Sequence, residues 1–397
     1  MISSKPIRVL HVFGCMNREG AQMRTLDVMR RIDPTRFRLD FCVLSGKDGD
    51  LAEEIAELGG QIYPCSLKLT FPQKFPRLLR ERRYDVVHSH VQNFSGLILT
   101  LARRAGVPLR VAHFRSTGSD KPRHLGYTAQ TWVMRHLLNG SATHVFGNGE
   151  ASLAVGWNAN WQADSRCAVI HNGLDINWSP AQGAAKEVRS EFDWPDNCPL
   201  FIHVGRMVPV KNHLRVASIF CEVIRRLPEA RFLFVGGGCR VTSETLQAFC
   251  QEHQFGNRVA LAGVRQDVPR LLAAADALIF PSLWEGLPGT VLEACAMGTP
   301  VVASSLPGIV EIASHFDSVR CLSLNEDDGR WAETALELRE AWKTPSARTE
   351  AQQRFPASVY NIELCAKAHE LAWSGAAGSE IRQLYGSRAR HGEPSPC

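Results

Sequence analysis

Short apolar segments recur along the chain, and segments with the spacing of an amphipathic helix separate them. Apolar runs of this length are typical of strands that are buried on both faces of a parallel sheet. In the first half, we predict strands at residues 7–13, 39–44, 86–88, 109–113, 144–146 and 167–170. In the second half, we predict strands at residues 200–204, 231–235, 259–261, 277–280 and 301–303.

The segments between these strands favour helices, for example over residues 21–31 and 95–105. Residues 330–342 and 347–373 have the same apolar spacing and are also predicted to be helical. Strands that alternate with helices are typical of βαβ units. The predicted fold class is therefore α/β, with doubly wound parallel sheets.

The alternation is interrupted once, after Asn172-Gly-Leu-Asp175, by a stretch rich in Pro, Gly, Ala and Trp that runs to about Pro199. We therefore predict one domain over residues 1–178 and a second over 179–373, whose last helix is expected to pack back on the first domain. Residues 374–397 are small and polar, which predicts a disordered tail. Two such sheets in tandem should face each other across a cleft, with their strand ends pointing inward.

The composition fits two domains of ordinary size, because the chain has 397 residues and 45% of them are hydrophobic. The 12 cysteines are scattered and form no Cys-x-x-Cys, which favours thiols in a reducing compartment over disulfides or a zinc site. We find neither a signal peptide nor an apolar run near the roughly 18 residues that a membrane span requires. The expected location is cytoplasmic.

Positive charge is concentrated in the first domain. Residues 1–178 contain 23 Lys/Arg and 15 Asp/Glu, whereas the remainder contains 22 and 25. The excess lies mainly in residues 74–83, 103–110 and 115–135. It could serve nucleic acid, an anionic membrane surface or a phosphorylated acceptor, and solvated helix faces explain it equally well. Nucleic acid is the least favoured partner, because a basic stripe interleaved with aromatic residues is missing.

The most specific candidate chemistry follows the predicted strand at residues 277–280. A turn rich in Gly and Pro comes next, and residues 290–297 favour a helix. Glu285 should therefore lie at the carboxyl end of a strand and Glu293 inside the following helix. Ligands of open α/β sheets bind at such strand ends and helix starts.

The spacing of Glu285 and Glu293 argues against a glycosidase pair. Eight helical residues rise about 12 Å, whereas working carboxylate pairs of glycoside hydrolases lie roughly 5–9.5 Å apart. Two carboxylates at the larger separation suit two hydroxyl-bearing parts of one extended ligand. This favours transfer from a nucleotide-sugar over hydrolysis.

Two cations, Arg206 and Lys211, flank the turn after the predicted strand at 200–204. A guanidinium and an ammonium at a strand end can bind a diphosphate and neutralise it as it leaves. Gly20, at the start of the first predicted helix, could let backbone N–H groups approach an anion. Alone, each signal is also explained by a surface charge or an ordinary turn.

Three histidines lie at strand ends of the first domain. His88 and His90 share one face of a strand, and His113 ends the next strand. His-x-His could begin a metal site, but further ligands with diagnostic spacing do not follow. A catalytic or substrate-binding role for His113 is the favoured interpretation, and a half-buried structural histidine is its alternative.

With these residues, the sequence resembles the retaining glycosyltransferases of family 4, which have the GT-B architecture. The resemblance covers nearly the whole chain, to about residue 373. The strongest match is the Glu-x7-Glu motif from Glu285 to Glu293. The other matching segments are Val204-Gly-Arg206 with Lys211-Asn212, Ile170-His-Asn-Gly-Leu-Asp175, Met16-Asn-Arg-Glu-Gly-Ala-Gln22 and Val87-His-Ser-His90.

The resemblance implies a nucleotide-sugar donor, UDP- or GDP-linked, without a metal or other cofactor. It implies that Glu285 binds hydroxyls of the transferred sugar and Glu293 binds the ribose. His113 would be the active-site histidine of the first domain. The remaining implied donor contacts are Arg206 and Lys211 on the diphosphate, Gly20 through a backbone N–H, Val264 beside the base, and Gly286, Leu287 and Pro288 next to Glu285.

The implied activity is sugar transfer to a glycan or lipid-linked acceptor in surface polysaccharide or glycolipid biosynthesis, with peripheral contact to an anionic membrane.

Three positions depart from the family pattern. Glu19 stands where a second glycine is common, Arg115 stands where related sequences often have histidine, and Pro307-Gly308 replaces a frequent Gly-Gly. The assignment between His113 and Arg115 therefore stays open. The alternatives are a catalytically silent protein that binds a sugar nucleotide, and an epimerase or hydrolase on the same architecture.

Overall fold

The computed structural model describes residues 5–117, 125–175 and 183–386. They form two compact units. The first contains the described residues of Met1–Leu174 and Val359–Ala389, and the second those of Asp175–Ser358. The predicted domain boundary at residue 178 lies outside the described residues.

The first unit is built on a seven-stranded sheet in the order β3-β2-β1-β4-β5-β6-β7. Every neighbouring pair is parallel, and the strand order reverses between β1 and β4. The strands are Ile7–Phe13 (β1), Phe37–Val43 (β2), Ile62–Pro64 (β3), Val86–Ser89 (β4), Leu109–Phe114 (β5), His144–Gly147 (β6) and Cys167–Val169 (β7). The connecting helices are Gly20–Arg31 (α1), Ala52–Glu57 (α2), Phe71–Arg82 (α3), Ser95–Arg104 (α4), Leu125–Ser141 (α5) and Glu150–Gly156 (α6).

The core of this unit forms because apolar side chains of the strands meet the apolar faces of the helices. Val12 and Val87, on two adjacent strands, pack in one cluster with Phe75 of α3 and Ile98 of α4. All four side chains are withdrawn from water. Burial of such side chains is the main favourable term in folding.

The second unit has a six-stranded parallel sheet in the order β10-β9-β8-β11-β12-β13. The strand order reverses between β8 and β11. The strands are Leu200–Val204 (β8), Arg231–Val235 (β9), Val259–Leu261 (β10), Ala277–Phe280 (β11), Val301–Ser304 (β12) and Val319–Leu322 (β13). The helices are Ala184–Glu191 (α7), His213–Arg226 (α8), Arg240–Glu252 (α9), Val268–Ala274 (α10), Gly289–Ala296 (α11), Pro307–Ala313 (α12), Asp328–Ala341 (α13) and Pro345–Arg354 (α14).

The chain then returns to the first unit through two helices, Ile362–Trp373 (α15) and Gly378–Gly386 (α16). Asn361 begins α15, because its side chain accepts a hydrogen bond from the backbone N–H of Glu363 at 2.7 Å. Helix α15 packs on α1. This helix was predicted to belong to the second domain and to pack back on the first.

Two predictions for the end of the chain are wrong. The single helix predicted over residues 347–373 is interrupted after Arg354 by the short 3-10 turn Phe355–Ala357. This turn contains Pro356, which has no N–H to continue a helix. The tail predicted to be disordered contains α16, which buries Ile381 and Tyr385. Residues 387–397 of that tail lie outside the described residues.

The predicted strands are confirmed to within a few residues, whereas β3 and β13 were missed. Both are edge strands, and their short sequences have no clear apolar run. Among the described residues, no helix combines the length and apolar character that crossing a membrane requires.

Candidate functional site

The sheet of the second unit ends in a row of loops along its carboxyl edge. The loops after β8, β9, β10, β11 and β12 all emerge there because the strands are parallel. The order reverses between β8 and β11, and open α/β sheets bind ligands at such a reversal. Every candidate residue predicted for this unit lies in these loops or in the helix that follows β11.

Lys211 and Glu285 form an ion pair at the reversal, with 2.5 Å between Nζ and Oε1. Their side chains are only 16% and 14% exposed. The Lys211 ammonium also lies 4.8 Å from the ring centroid of Phe280, the last residue of β11. Charges that are this far withdrawn from water interact more strongly than a surface pair does. The pair therefore places one cation and one carboxylate in fixed positions.

The two loops that carry this pair are fastened to each other. Asn212 follows Lys211 in a left-handed conformation, with φ of 57°, and its side-chain amide donates to the carbonyl of Pro281 at 3.1 Å. The backbone N–H of Leu283 donates to the carbonyl of Val210 at 2.9 Å. A site fixed in this way does not need to reorganise when a charged ligand binds.

Arg206 follows β8 directly and is exposed. The backbone on both sides of it is held against the loop after β9, because the N–H of Gly205 donates to Val235 and the N–H of Met207 donates to Gly237. A Cβ atom on Gly236 would lie 1.9 Å from the carbonyl oxygen of Gly205. The glycine after β9 is thus required for the close approach that positions Arg206.

The turn after β11 is packed against the start of α12. A Cβ atom on Gly308 would lie 1.6 Å from the carbonyl oxygen of Gly286, so only glycine fits at position 308. Leu287 and Pro288 are buried beside it. Pro307 begins α12, where a proline is well tolerated. Pro307 departs from the Gly-Gly of the family pattern, but Gly308 is the glycine that the turn requires.

Glu293 lies on α11, as predicted, and is half-buried. Its Oε1 lies 4.0 Å from the position that a Cβ of Gly289 would occupy. The carboxylate thus points toward the first turn of α11, where that helix leaves the turn that carries Glu285.

Val264, in the loop after β10, is 80% exposed. Its side chain covers Gly237, where a Cβ would lie 2.6 Å from Cγ2 of Val264. The loop is anchored by Arg265, which forms two hydrogen bonds with Asp267 at 2.8 and 2.9 Å and a further ion pair with Glu191. These hydrogen bonds lower the pKa of the Asp267 carboxyl. This network was not predicted, because Glu191 lies 74 residues from Arg265 in the chain.

The two remaining candidates, Gly20 and His113, belong to the first unit. Gly20 is the first residue of α1, is exposed and has open space around its Cα. Glu19 precedes it and makes no side-chain cap to the helix. The prediction that Gly20 offers a backbone N–H to an anion stays a prediction.

His113 lies in a cluster of five histidines, of which His11 and His369 were not predicted. The rings of His11, His88, His90 and His113 stack across strands β1, β4 and β5, and His369 of α15 lies over them. His113 is 1% exposed. Its catalytic role stays a prediction. The sequence signals for the cluster were the His-x-His pattern at the end of β4 and the position of His113 in the next strand.

Two chains of hydrogen bonds run through these rings and fix their tautomers. Trp373 donates to Nδ1 of His88 at 3.2 Å, so His88 carries its proton on Nε2 and donates to Nδ1 of His113 at 3.1 Å. Arg115 donates to Nδ1 of His90 at 3.0 Å, and His90 therefore donates from Nε2 to His11 at 2.9 Å. Both chains end on a buried Nε2–H, of His113 and of His11, that has no partner among the described residues.

Burial keeps these rings neutral. Desolvation, together with the charge of Arg115, lowers the pKa of His88, His90 and His113 well below its ordinary value. Desolvation also lowers the pKa of His369 to about 4. The cluster therefore offers lone pairs and N–H groups, but no charge, at neutral pH.

The spacing of the histidines resembles that of a metal site. Two triplets, His11–His88–His90 and His88–His113–His369, bring their nitrogens within 4.8 Å of one another. Both triplets include His88, whose two nitrogens are already occupied by Trp373 and His113. The hydrogen bonds thus compete with metal binding. The expectation that the protein needs no metal stays a prediction.

Two family models match the sequence. One, described as "Glycosyl transferase 4-like domain", matches residues 19–173. The other, described as "Glycosyl transferases group 1", matches residues 198–340. Together they span most of the chain, and each match falls within one of the two compact units.

Three known proteins illustrate the likeness. A Staphylococcus aureus protein named "Capsular polysaccharide biosynthesis glycosyltransferase CapH" is 28% identical over 342 residues, which is 84% of this chain and 90% of that protein. An Escherichia coli "UDP-Gal:alpha-D-GlcNAc-diphosphoundecaprenol alpha-1,3-galactosyltransferase" is 28% identical over 261 residues, 64% of this chain and 63% of that protein. The crystal structure of Anabaena Alr3699/HepE in complex with UDP has a TM-score of 0.77 and 21% identity, and it covers 93% of this chain and 99% of that one.

These matches agree with the observed architecture of two parallel sheets, each with its own reversal of strand order. The chain therefore belongs to the group 1 glycosyltransferases and has the two Rossmann-like domains of the GT-B fold.

Proposed function

We propose that the protein is a retaining glycosyltransferase that moves a sugar from a nucleotide-diphosphate sugar to a glycan or lipid-linked acceptor in surface polysaccharide biosynthesis. The observation that carries this proposal is the Lys211–Glu285 ion pair at the strand reversal of the second unit. It supplies a cation for phosphate oxygens and a carboxylate for sugar hydroxyls within one fixed arrangement.

In this proposal, the carboxyl edge of the second sheet binds the donor along its length. Arg206 and Lys211 bind the diphosphate, Glu285 accepts hydrogen bonds from the sugar, and Glu293 accepts them from the ribose. The exposed side chain of Val264 contacts the base. Gly286, Leu287 and Pro288 shape the turn that holds Glu285 in place.

The chemical step exchanges one bond at the anomeric carbon for another. The bond to the diphosphate oxygen breaks, and the bond to the acceptor oxygen forms on the same face of the sugar. The acceptor hydroxyl gives its proton to the leaving diphosphate. Arg206 and Lys211 stabilise the negative charge that develops there, which is the contribution that dominates such transfers. Product analysis by NMR tests retention, and an inverted anomeric configuration would contradict it.

Two relatives favour UDP over GDP as the nucleotide and a lipid diphosphate as the acceptor. The Anabaena structure contains UDP, and the Escherichia coli relative is named for UDP-Gal and a diphosphoundecaprenol acceptor. We propose the same classes of donor and acceptor for this chain, and no metal cofactor. Turnover should therefore survive EDTA. A loss of turnover that Mg²⁺ or Mn²⁺ restores would contradict the metal-free mechanism.

The first unit is proposed to contact an anionic membrane peripherally. Helix α3 exposes Lys74, Arg77 and Arg80, and the preceding loop exposes Leu69 completely. Cations next to an exposed apolar side chain suit an anionic lipid surface. Co-sedimentation with phosphatidylglycerol vesicles, but not with phosphatidylcholine vesicles, is the expected result. Equal binding to both, or to neither, would contradict the proposal.

Turnover measured with a panel of UDP-sugars and an isoprenyl-diphosphate acceptor tests the site. The Glu285→Gln variant should lose roughly 10²–10³ in kcat/KM, as loss of one preorganised charged contact typically does. Glu333→Gln is the matched control, because Glu333 forms an exposed ion pair with Arg330 in the same unit. Near-native turnover of Glu285→Gln would refute the assignment. Turnover without acceptor would instead indicate a hydrolase or an epimerase.

A further inference from the structure

Arg115 is held in one orientation by three elements of the first unit. It follows β5 directly and is half-buried. Its Nε donates to His90 at 3.0 Å, Nη1 donates to the side chain of Asn172 at 3.2 Å, and Nη2 lies 3.5 Å from the hydroxyl of Thr25. A guanidinium has five N–H groups. One N–H on each terminal nitrogen is therefore left for a further acceptor.

All three of these partners are neutral. Among the described residues, no carboxylate forms an ion pair with Arg115. The buried Arg189 differs, because it pairs with Asp276 at 3.2 Å. A cation that is partly withdrawn from water without a counter-charge is unfavourable, and proteins usually supply one.

The histidines beside Arg115 do not supply that charge. His90 accepts from Arg115 through a lone pair, and the tautomers of the cluster follow from that donation. Burial lowers the pKa of Arg115 to about 10, so the guanidinium remains charged at neutral pH. Its positive charge is oriented by the protein but not neutralised by the described part of it.

We propose that Arg115 binds the phosphate of a lipid-linked acceptor, and thereby selects a phosphorylated acceptor over a neutral one. This inference rests on the glycosyltransferase function proposed above. The planar fork of a guanidinium matches both a carboxylate and a phosphate. Arg115, the residue after β5, thus determines specificity at a position where the sequence departs from the family pattern.

The test measures binding without turnover, using farnesyl phosphate and farnesol, two probes that differ by one phosphate group. Arg115→Gln should weaken binding of farnesyl phosphate by about 10- to 100-fold, as expected for lost hydrogen bonds to a charged group. Binding of its neutral partner should change less than about twofold.

Arg110→Gln is the matched control. Arg110 is the second residue of the same strand and is half-buried, and its guanidinium donates to backbone carbonyls of Ser141, Val107 and Pro108. Its loss removes the same charge without touching Arg115, so it should leave the preference for farnesyl phosphate intact. Arg115→Lys keeps the charge but loses the fork, and should weaken the anionic probe less than Arg115→Gln does. It also serves if Arg115→Gln does not fold.

The outcomes separate this inference from the proposed function. If Arg115→Gln weakens binding of farnesyl phosphate and farnesol equally, or weakens binding of neither, Arg115 does not recognise the phosphate and the inference is overturned. Binding of UDP alone reports on the second unit. If UDP fails to bind the wild-type protein, the proposed function fails, whereas the farnesyl phosphate pair still decides the role of Arg115.

Discussion

The first unit should lose stability in mild acid because its histidine cluster is buried in the neutral form. The perturbation is a change of pH from 7.5 to 5.0. His369 has an ordinary pKa of 6.5 in the unfolded chain, and burial lowers its pKa to about 4 in the folded protein. Above pH 6.5 both states are neutral at this residue, and no pH dependence arises from it. Below pH 6.5 the unfolded state binds a proton that the folded state does not bind until about pH 4.

The magnitude follows from this difference in proton binding. Linkage gives a loss of about 1.4 kcal/mol per pH unit for one such histidine, or about 2 kcal/mol for His369 at pH 5. The pKa values of His11, His88, His90 and His113 are lowered in the same direction, so each adds to the loss. A loss of this size is a large fraction of the stability of an ordinary domain.

Urea unfolding followed by hydrogen exchange on peptides from β4 and β5 would report on the first unit separately. The free energy of unfolding should be flat from pH 8 to about 6.5 and should fall below it. His369→Gln should reduce the slope of the free energy of unfolding against pH by about 1.4 kcal/mol per pH unit, which corresponds to one bound proton. A free energy of unfolding that stays constant or rises between pH 6.5 and 5 would refute the conclusion that these histidines are neutral.

Two further predictions concern the second unit. Gly308→Ala should shift the turn that carries Glu285 and reduce kcat/KM at least tenfold, because a Cβ there would lie 1.6 Å from the carbonyl oxygen of Gly286. Gly140 on α5 has open space around it, so Gly140→Ala should be neutral or stabilising by up to about 1 kcal/mol. Equal effects of Gly308→Ala and Gly140→Ala on turnover would contradict the conclusion that the turn requires Gly308. Asp267→Asn should leave Arg265 and Arg270 paired with Glu191 alone and raise the Kd for UDP several-fold with little change in kcat, because the Val264 loop loses one of its two anchors. A Kd equal to that of the wild type, measured by calorimetry, would show that the network does not position this loop.

The fold could be predicted from sequence where the local pattern was clear. Strand β8 was predicted with its observed bounds, because four of its five residues are apolar and the strand lies between turns. Strand β13 was missed because Val319–Leu322 contains Arg320 and lies at the edge of its sheet. The split between α14 and α15 was missed because apolar spacing continues across Pro356, although the proline itself was a usable signal.

The candidate site of the second unit could be predicted because parallel strands place their following loops at one edge. The ion pair between Lys211 and Glu285 could not, since nothing in the sequence fixes how two distant loops meet. His11 and His369 were missed as members of the histidine cluster for the same reason. His369 reaches His88 and His113 only because the chain returns to the first unit after Ser358.

The central claim is that the reversal point of the second sheet binds the diphosphate of a nucleotide-sugar. Calorimetric titration of UDP into the wild-type protein, Lys211→Gln and Lys186→Gln tests it most directly. The account predicts that UDP binds the wild type and Lys186→Gln alike, and binds Lys211→Gln about 10- to 100-fold more weakly, as for a lost charged contact. Equal affinity of all three proteins for UDP, or no binding to any of them, would contradict the claim.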